Sequence, residues 1–331
     1  MKLYDLEHHF YDSAAVEAMT KRIGGYPYYD KEADMVHWTK NLKMPFNFHR
    51  ELLMDMDEGR LAIMDRVGIT KAVLSHSQAL EELDPSESIE LAKHANDTMY
   101  EKTQKYPDRY LASAILPMRD PDAACKELKR CVNDLGFVAW HTHSNYSGES
   151  PHAEKFVPVF ETASDLGIYV YLHPTLPANS EDYDEFGFTF AGPAAGFTID
   201  TMAVTLKLIL SGIFDRVPDL KMVIGHFGEA IPFLLDRIDN RIKYLPNPLC
   251  KNQRLPSDYF RDNIYVTTSG NMSPAAFRCT KDVLGIDKII FGSDYCYENI
   301  DAMTDFVKEL DITDEEREKL FFRNAEKLLN I

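Results

Sequence analysis

The chain reads as a single (β/α)8 barrel spanning residues 1–331, with long loops after the first and fifth strands and a helical C-terminal tail. Three observations lead there. Short β-branched runs alternate with amphipathic stretches, as in parallel α/β architectures. The runs number eight, and 331 residues is within the usual size of one such barrel. Four apolar runs also end on metal-ligating side chains: Leu6-Glu7-His8-His9, Tyr169-Val170-Tyr171-Leu172-His173, Val223-Ile224-Gly225-His226 and Phe291-Gly292-Ser293-Asp294. Four such endings in order suggest one site assembled at one end of a parallel barrel.

The expected strands are 2–9, 70–76, 110–116, 136–141, 168–173, 221–226, 263–269 and 287–293. Amphipathic stretches fall near 47–67, 86–105, 121–134, 153–166, 199–213, 229–245 and 273–284, followed by a helical tail over 300–330. Punctuation supports these boundaries: Asp120-Pro121 opens a helix, Gly136 and Pro218-Asp219 precede strands, and Thr313-Asp314-Glu315-Glu316 forms a capping box. The loops 10–46 and 174–198 are longer than connections usually are, and long loops at the ligand end of a barrel tend to carry function. The first holds Tyr26, Tyr28, Tyr29, Trp38, Phe46 and Phe48, and the second Tyr183, Phe186, Phe188, Phe190 and Phe197. These rings either roof an aromatic pocket or pack the loops onto the barrel or a second subunit.

Composition narrows the partners. Lys and Arg number 36 against 53 Asp and Glu, a net charge of −17, so no basic stripe is available for nucleic acid. A small carboxylate remains possible because a local metal inverts the potential inside one pocket. No secretory signal and no run of about 20 apolar residues appears, so no membrane span is expected. Five cysteines without a CxxC pair fit a reduced, cytoplasmic chain. Cys296, two residues after Asp294, is near enough to approach the pocket, but thiol attack needs a dedicated base that the sequence does not assign.

Glu7 and His9 are two apart, so on a strand they share a face and can grip one ion, while His8 points away. His173 closes its strand just before Pro174. Asp294 follows an apolar run, where a carboxylate would cost several kcal/mol unless a cation or hydrogen bonds met it. Taken singly, each residue is ordinary. Gathered at one mouth, Glu7, His9, His173 and Asp294 supply two imidazoles and two carboxylates, a set that suits one divalent ion such as Zn²⁺ or Mn²⁺. In His226-Phe227-Gly228-Glu229 the two ends lie three apart on a helical turn, so Glu229 can fix the tautomer of His226, an acid/base arrangement. Arg237, two turns on, pairs with a carboxylate below it or meets a neighbouring subunit; a plain helix salt bridge is equally consistent. His76 and His143 are candidates to donate to a substrate hydroxyl, Arg50 and Arg60 to meet an acidic substituent, and Ser269 and Asn271 to line the mouth or simply form a turn.

These segments resemble the branch of the amidohydrolase superfamily that contains nonoxidative aromatic-acid decarboxylases, among them gamma-resorcylate, 2,3-dihydroxybenzoate and 5-carboxyvanillate decarboxylases. The resemblance rests on Glu7-His8-His9-Phe10, His173-Pro174, Pro218 to Asp239 with its Gly-His-Phe-Gly-Glu, and Phe291-Gly292-Ser293-Asp294-Tyr295. It implies a barrel with one divalent metal on Glu7, His9, His173 and Asp294. It implies too that His226 and Glu229 form a dyad beside the metal and that Arg237 is the arginine that follows it. Phe10, Tyr295, His76, Trp38 and Arg237 are then the expected substrate contacts. Glu7 replaces the first histidine of hydrolytic relatives, and the strand-four lysine of dinuclear relatives has no match in Gly136-Phe137-Val138-Ala139-Trp140-His141, so one metal is expected. The implied reaction is reversible decarboxylation of a hydroxybenzoate, with Asp294 protonating the ring carbon. Other readings share the ligands: a metal-dependent hydrolase or hydratase acting on a lactone, an ester or a ring-opened aromatic, and a noncatalytic binding barrel. A homodimer or higher homo-oligomer is expected from Arg237 and the loop aromatics.

Overall fold

The structure, a computed structural model, describes residues 1–22, 24–47 and 49–331, so Phe48 falls outside the described residues. Eight parallel strands form its centre: β1 (Tyr4–Phe10), then β5 (Lys71–His76), β6 (Tyr110–Ala114), β7 (Ala139–His143), β8 (Tyr169–His173), β9 (Lys221–Ile224), β10 (Ile264–Thr267) and β11 (Ile289–Ile290), in that spatial order. Leu6 N donates to Phe291 O and His9 N to Tyr295 O, which draws the last strand back to the first and closes the barrel. β2 (Tyr28–Asp30), β3 (Met35–His37) and β4 (Lys43–Pro45) form a separate antiparallel sheet inside the first long loop. The sequence reading did not anticipate that sheet, because its strands are three residues each and too short for a periodic signal.

Alternation along the strands sorts the side chains. Val73, Ala139, Tyr169, Tyr171, Val223, Tyr265 and Ile290 pack together inside the barrel, and Ala325, Leu328 and Leu329 of the C-terminal tail join them. Their neighbours, among them Leu74, Trp140, Val170, Leu172 and Ile224, belong instead to the larger core that includes the surrounding helices. On β1 the register against β5 shifts between Asp5 and His8. Such a bulge re-aims the chain. Leu6 therefore joins the interior cluster, and Glu7 and His9 after it also meet interior groups.

The stretch expected as one amphipathic segment over 47–67 divides into helices Arg50–Met54 and Glu58–Val67. The Asp55 carboxylate accepts from Asp57 N at 2.7 Å and the Asp55 carbonyl accepts from Arg60 Nε at 2.7 Å, which holds the turn between them. Helix Ser13–Lys21, capped by the Asp12 side chain, occupies part of the first long loop, and short helical turns occupy the second. Among the described residues no single helix is long and apolar enough to cross a membrane.

Candidate metal centre and its cavity

Glu7, His9, His173 and Asp294 come together at the mouth of the barrel, each buried, with one ligand atom from each lying within 4.8 Å of the others. Glu7 Oε1 stands 3.6 Å from both His9 Nε2 and His173 Nε2, and His9 Nε2 stands 3.1 Å from Asp294 Oδ1. Glu7 Oε1, His9 Nε2 and Asp294 Oδ1 are buried without an ordinary hydrogen-bond partner. Buried polar atoms are normally satisfied, so three orphans facing one another fit a cation-binding position. The other atoms of these groups are fixed. His173 Nδ1 is bonded to the Pro174 carbonyl at 2.7 Å and His9 Nδ1 to Ser75 Oγ at 3.2 Å, which leaves both Nε2 atoms facing the centre. Two nitrogens and two carboxylates fit a divalent ion.

A layer of hydrogen bonds underneath orients this set. Tyr171 Oη donates to Glu7 Oε2, with Thr267 Oγ1 3.0 Å from the same hydroxyl. Thr267 continues to Ser269 Oγ at 2.8 Å, and Ser269 accepts from His226 N at 3.3 Å. On the outer side, Asp5 accepts from Glu7 N at 3.0 Å and Ser293 N at 2.9 Å and pairs with His8, which stacks on Tyr295. One buried carboxylate thus ties the segment bearing Glu7 to the segment bearing Asp294.

His226 Nδ1 is bonded to Glu229 Oε1 at 2.7 Å, and its Nε2 lies 3.9 Å from Asp294 Oδ2. The backbone departs from ordinary geometry to achieve this. His226, Phe227, Glu229 and Asp294 have φ of 54°, 55°, 57° and 57°. For L residues this region costs about 1–2 kcal/mol each, and such outliers cluster at functional sites. Gly270, with φ of 62°, is required beside them because a Cβ there would lie 2.5 Å from the His226 ring.

Charge follows geometry. Burial alone would lower the His226 pKa, but the charge of Glu229, its hydrogen bond with His226 and the nearby Asp294 carboxylate hold it well above the ordinary imidazole value. Burial would likewise depress His9, yet the Asp294 and Glu7 carboxylates facing its Nε2 outweigh it and raise the pKa to about 9. Burial would raise the Asp294 carboxyl, and the His226 and His9 imidazoles beside it instead keep it well below the usual range. Burial and the charge of His9 push His173 down to about 3.

Above the centre opens a cavity of about 590 Å³, whose lining includes His173, His226, Glu229 and Asp294. An apolar cavity of about 150 Å³ suffices for benzene, so an aromatic ring with several substituents fits. Met44, Pro45, Phe188 and Phe197 give it apolar walls, and Gln78, His49, Asn271, Tyr297 and Glu298 add polar ones. Among the described residues no lysine or arginine lines it.

Five residues expected to touch a substrate lie elsewhere. Phe10 is fully buried and packs edge-on to His76, while His76 is bonded to Ser77 O and accepts from Asp12 N. Tyr295 is pinned between His8 and the Arg60 guanidinium. Trp38 borders a separate depression beside Tyr26 and Asn145. Arg237 is exposed on helix Ile231–Tyr244, outside the cavity of its own chain. Arg60 is fully buried and bonded to the carbonyls of Leu52 and Asp55, Arg50 pairs with Asp34, and His143 pairs with Glu81. The Cys296 thiol is buried, which pushes its pKa up to about 12. Sequence reasoning missed Tyr297, His49, Gln78 and Glu298. Tyr297 and Glu298 sit three and four residues past Asp294 on the same turn, and that proximity was the one signal available.

Residues 4–331 match the amidohydrolase family over nearly the whole chain. The chain belongs to that family. Among curated amidohydrolases it is 36% identical over 304 residues to the gamma-resorcylate decarboxylase of Rhizobium sp. (strain MTP-10005), covering 87% of this chain and 92% of the relative. It also superposes on the crystal structure of a dihydroxybenzoic acid decarboxylase from Polaromonas sp. JS666 with bound manganese and the inhibitor 2-nitroresorcinol. There the TM-score is 0.85 at 31% identity, over 99% of this chain and 97% of that one. The 5-carboxyvanillate decarboxylase of Sphingomonas paucimobilis gives a TM-score of 0.89 at 28% identity, over 100% and 99%.

Proposed function

We propose that this amidohydrolase is a metal-dependent, nonoxidative decarboxylase of a hydroxybenzoate-type acid, a carboxy-lyase that releases CO2 and a phenol. The observation that carries the reading is the convergence of unsatisfied Glu7 Oε1, His9 Nε2 and Asp294 Oδ1 at the floor of an apolar-walled cavity. The decarboxylase relatives and the manganese in one of them support it. Glu7, His9, His173 and Asp294 hold one divalent ion, Mn²⁺ or Zn²⁺, and the whole chain works as one barrel domain. The five free cysteines support a reduced, cytoplasmic setting.

A bound ion, held by Glu7, His9, His173 and Asp294, would supply a positive charge that stabilises negative charge on the substrate oxygens. The rest falls to the protein. Phe188, Phe197, Met44 and Pro45 hold the ring against the floor and limit its rotation. His226, kept protonated by Glu229, passes a proton through Asp294 to the ring carbon that bears the carboxylate. The bond from that carbon to the carboxylate then breaks, its electron pair restores the aromatic ring, and CO2 leaves. Solvent returns a proton to His226. Because the wall carries Glu229 and Glu298 and no lysine or arginine among the described residues, a second carboxylate on the substrate is disfavoured. Monocarboxylic hydroxybenzoates are the matching class.

The exposed face formed by Phe233, Arg237, Tyr244 and Leu245 supports a homodimer, which places Arg237 at the subunit boundary. Light scattering giving a monomer at micromolar concentration would remove that part of the reading. The activity is tested by supplying metal-free protein with Mn²⁺ or Zn²⁺ and following CO2 release from a panel of ortho-hydroxybenzoates. Metal-dependent release supports the proposal. A metal-replete protein that releases nothing would transfer it to the hydrolase or hydratase reading.

A further inference from the structure

The closed end of the barrel, opposite the metal centre, holds a cluster of lysines that the proposed reaction does not use. Lys221 opens β9 and Lys288 immediately precedes β11, so the two flank the start of β10. Both reach one acceptor: Lys288 Nζ donates to the Asp262 carbonyl at 3.1 Å and Lys221 Nζ donates to it at 3.4 Å. The charge of Lys327, on helix Asn324–Leu329, reaches Lys288 as well. The Tyr265 ring lies 4.2 Å from Lys288 Nζ and covers one side of it. The carboxylates nearby are engaged elsewhere. Asp262 pairs with Arg254 at 2.6 Å and Asp287 with Lys319 at 3.0 Å, and among the described residues neither Lys221 nor Lys288 forms an ion pair. Like charges that share one neutral carbonyl repel, and loss of a proton from one amine relieves them. Burial and the charges of Lys221 and Lys327 accordingly bring the Lys288 pKa down to about 8, against the pull of Asp262 and Asp287.

We propose that Lys288 is a reversible CO2-binding site, its amine adding to CO2 to form a carbamate held between Lys221 and Lys327. The nitrogen lone pair forms the N–C bond, one C=O electron pair of CO2 moves onto oxygen, and a proton leaves the nitrogen for solvent. A neutral amine and CO2 thus become a carbamate anion and a proton. The product is what selects CO2 among small electrophiles. An acyl group would leave a neutral amide and an aldehyde an imine, and neither answers two adjacent ammonium groups. A carbamate instead turns three like charges into one anion between two cations. Lysines whose charge is suppressed by their surroundings are the ones that react as nucleophiles. The inference goes beyond the decarboxylase reading and takes from it only that CO2 is formed on the same molecule.

The experiment equilibrates the intact protein with isotope-labelled bicarbonate near pH 8, traps carbamates as esters with triethyloxonium and locates the label by peptide mass spectrometry. It is run on the unaltered chain, Lys288→Arg and Lys221→Met. Lys288 is expected to carry at least about tenfold more label than the other lysines, because at fixed pH the neutral fraction rises about tenfold for each unit by which the pKa falls. Lys288→Arg should lose that label. Lys221→Met removes one like charge and one counter-ion, and should lower the label at Lys288 several-fold. Label at Lys288 no higher than at other lysines, or label on the Met1 amine alone, would overturn the proposal, as would an undiminished signal in Lys221→Met. Bicarbonate supplies the CO2, so the two readings fail separately. A protein that decarboxylates no hydroxybenzoate and still labels Lys288 sinks only the decarboxylase reading, and one that decarboxylates without labelling Lys288 sinks only this one.

Discussion

The two ends of the barrel interior are built from the same eight strands and obey opposite rules. At the N-terminal end, Tyr169, Val223, Tyr265 and Ile290 form a dry layer, and Leu328 and Leu329 of the tail close it. At the C-terminal end the same strands turn to His141 and His143, His173, Thr267 and Asp294, and buried polar atoms are left facing one another. The closed end gains stability from burial. The open end gives stability up, in strained backbone at His226, Glu229 and Asp294 and in desolvated charge, to hold a reactive geometry. Substitutions should therefore separate cleanly by layer, function failing at one end and folding at the other.

The largest effect belongs to the open end. Asp294→Asn removes the group proposed to relay the proton, and kcat under saturating metal should fall by about 10²–10⁴-fold while the unfolding transition stays cooperative. Activity near that of the unaltered protein would sink the proposed relay. At the closed end the expectation reverses. Leu328→Ala should cost about 2–5 kcal/mol of stability in denaturant unfolding, with kcat and metal content of the folded fraction unchanged. A comparable loss of kcat would mean that the two layers are coupled and the contrast between them is false.

How far the sequence reveals this contrast depends on how local each signal is. The strands are legible because β-branched runs and period-two alternation are properties of a few consecutive residues, and the ends at His9, His173 and Asp294 are visible for the same reason. The inward direction of Glu7 is less secure from sequence. Strict alternation from Leu6 would send the two residues to opposite faces, and the bulge between Asp5 and His8 brings Glu7 to the metal centre nonetheless. The substrate wall is the least legible part. Phe10 and Tyr295 neighbour ligand residues in sequence but face the outer core, whereas Phe188, Phe197 and Met44 reach the cavity because long loops fold over it.

A milder perturbation probes the layer between the ends. Tyr171 donates to Glu7 from one level below, so Tyr171→Phe keeps the ring and removes the hydrogen bond. Partners of this kind typically change metal affinity by about 10–100-fold, and a loss of that order is expected in chelator competition. Affinity unchanged within twofold would show that Glu7 is held by Thr267 and the strand alone.

The rim responds to pH. Glu82 follows β5 in the 3-10 turn Leu80–Glu82, and burial, reinforced by the neighbouring Glu81 carboxylate, raises its pKa from 4.5 to about 7. A raised folded-state pKa favours the protonated form in the native protein. Its contribution to stability is therefore complete below about pH 4.5 and is lost as the pH climbs through 7. Glu82→Gln keeps the neutral shape at every pH, so the variant should match the unaltered protein at pH 4.5 and exceed it at pH 8, with the difference opening between those values. Unfolding curves that stay parallel from pH 4.5 to 8 would mean that Glu82 is as well solvated in the native state as in the unfolded chain. The rim would then belong to the surface and not to the desolvated open end.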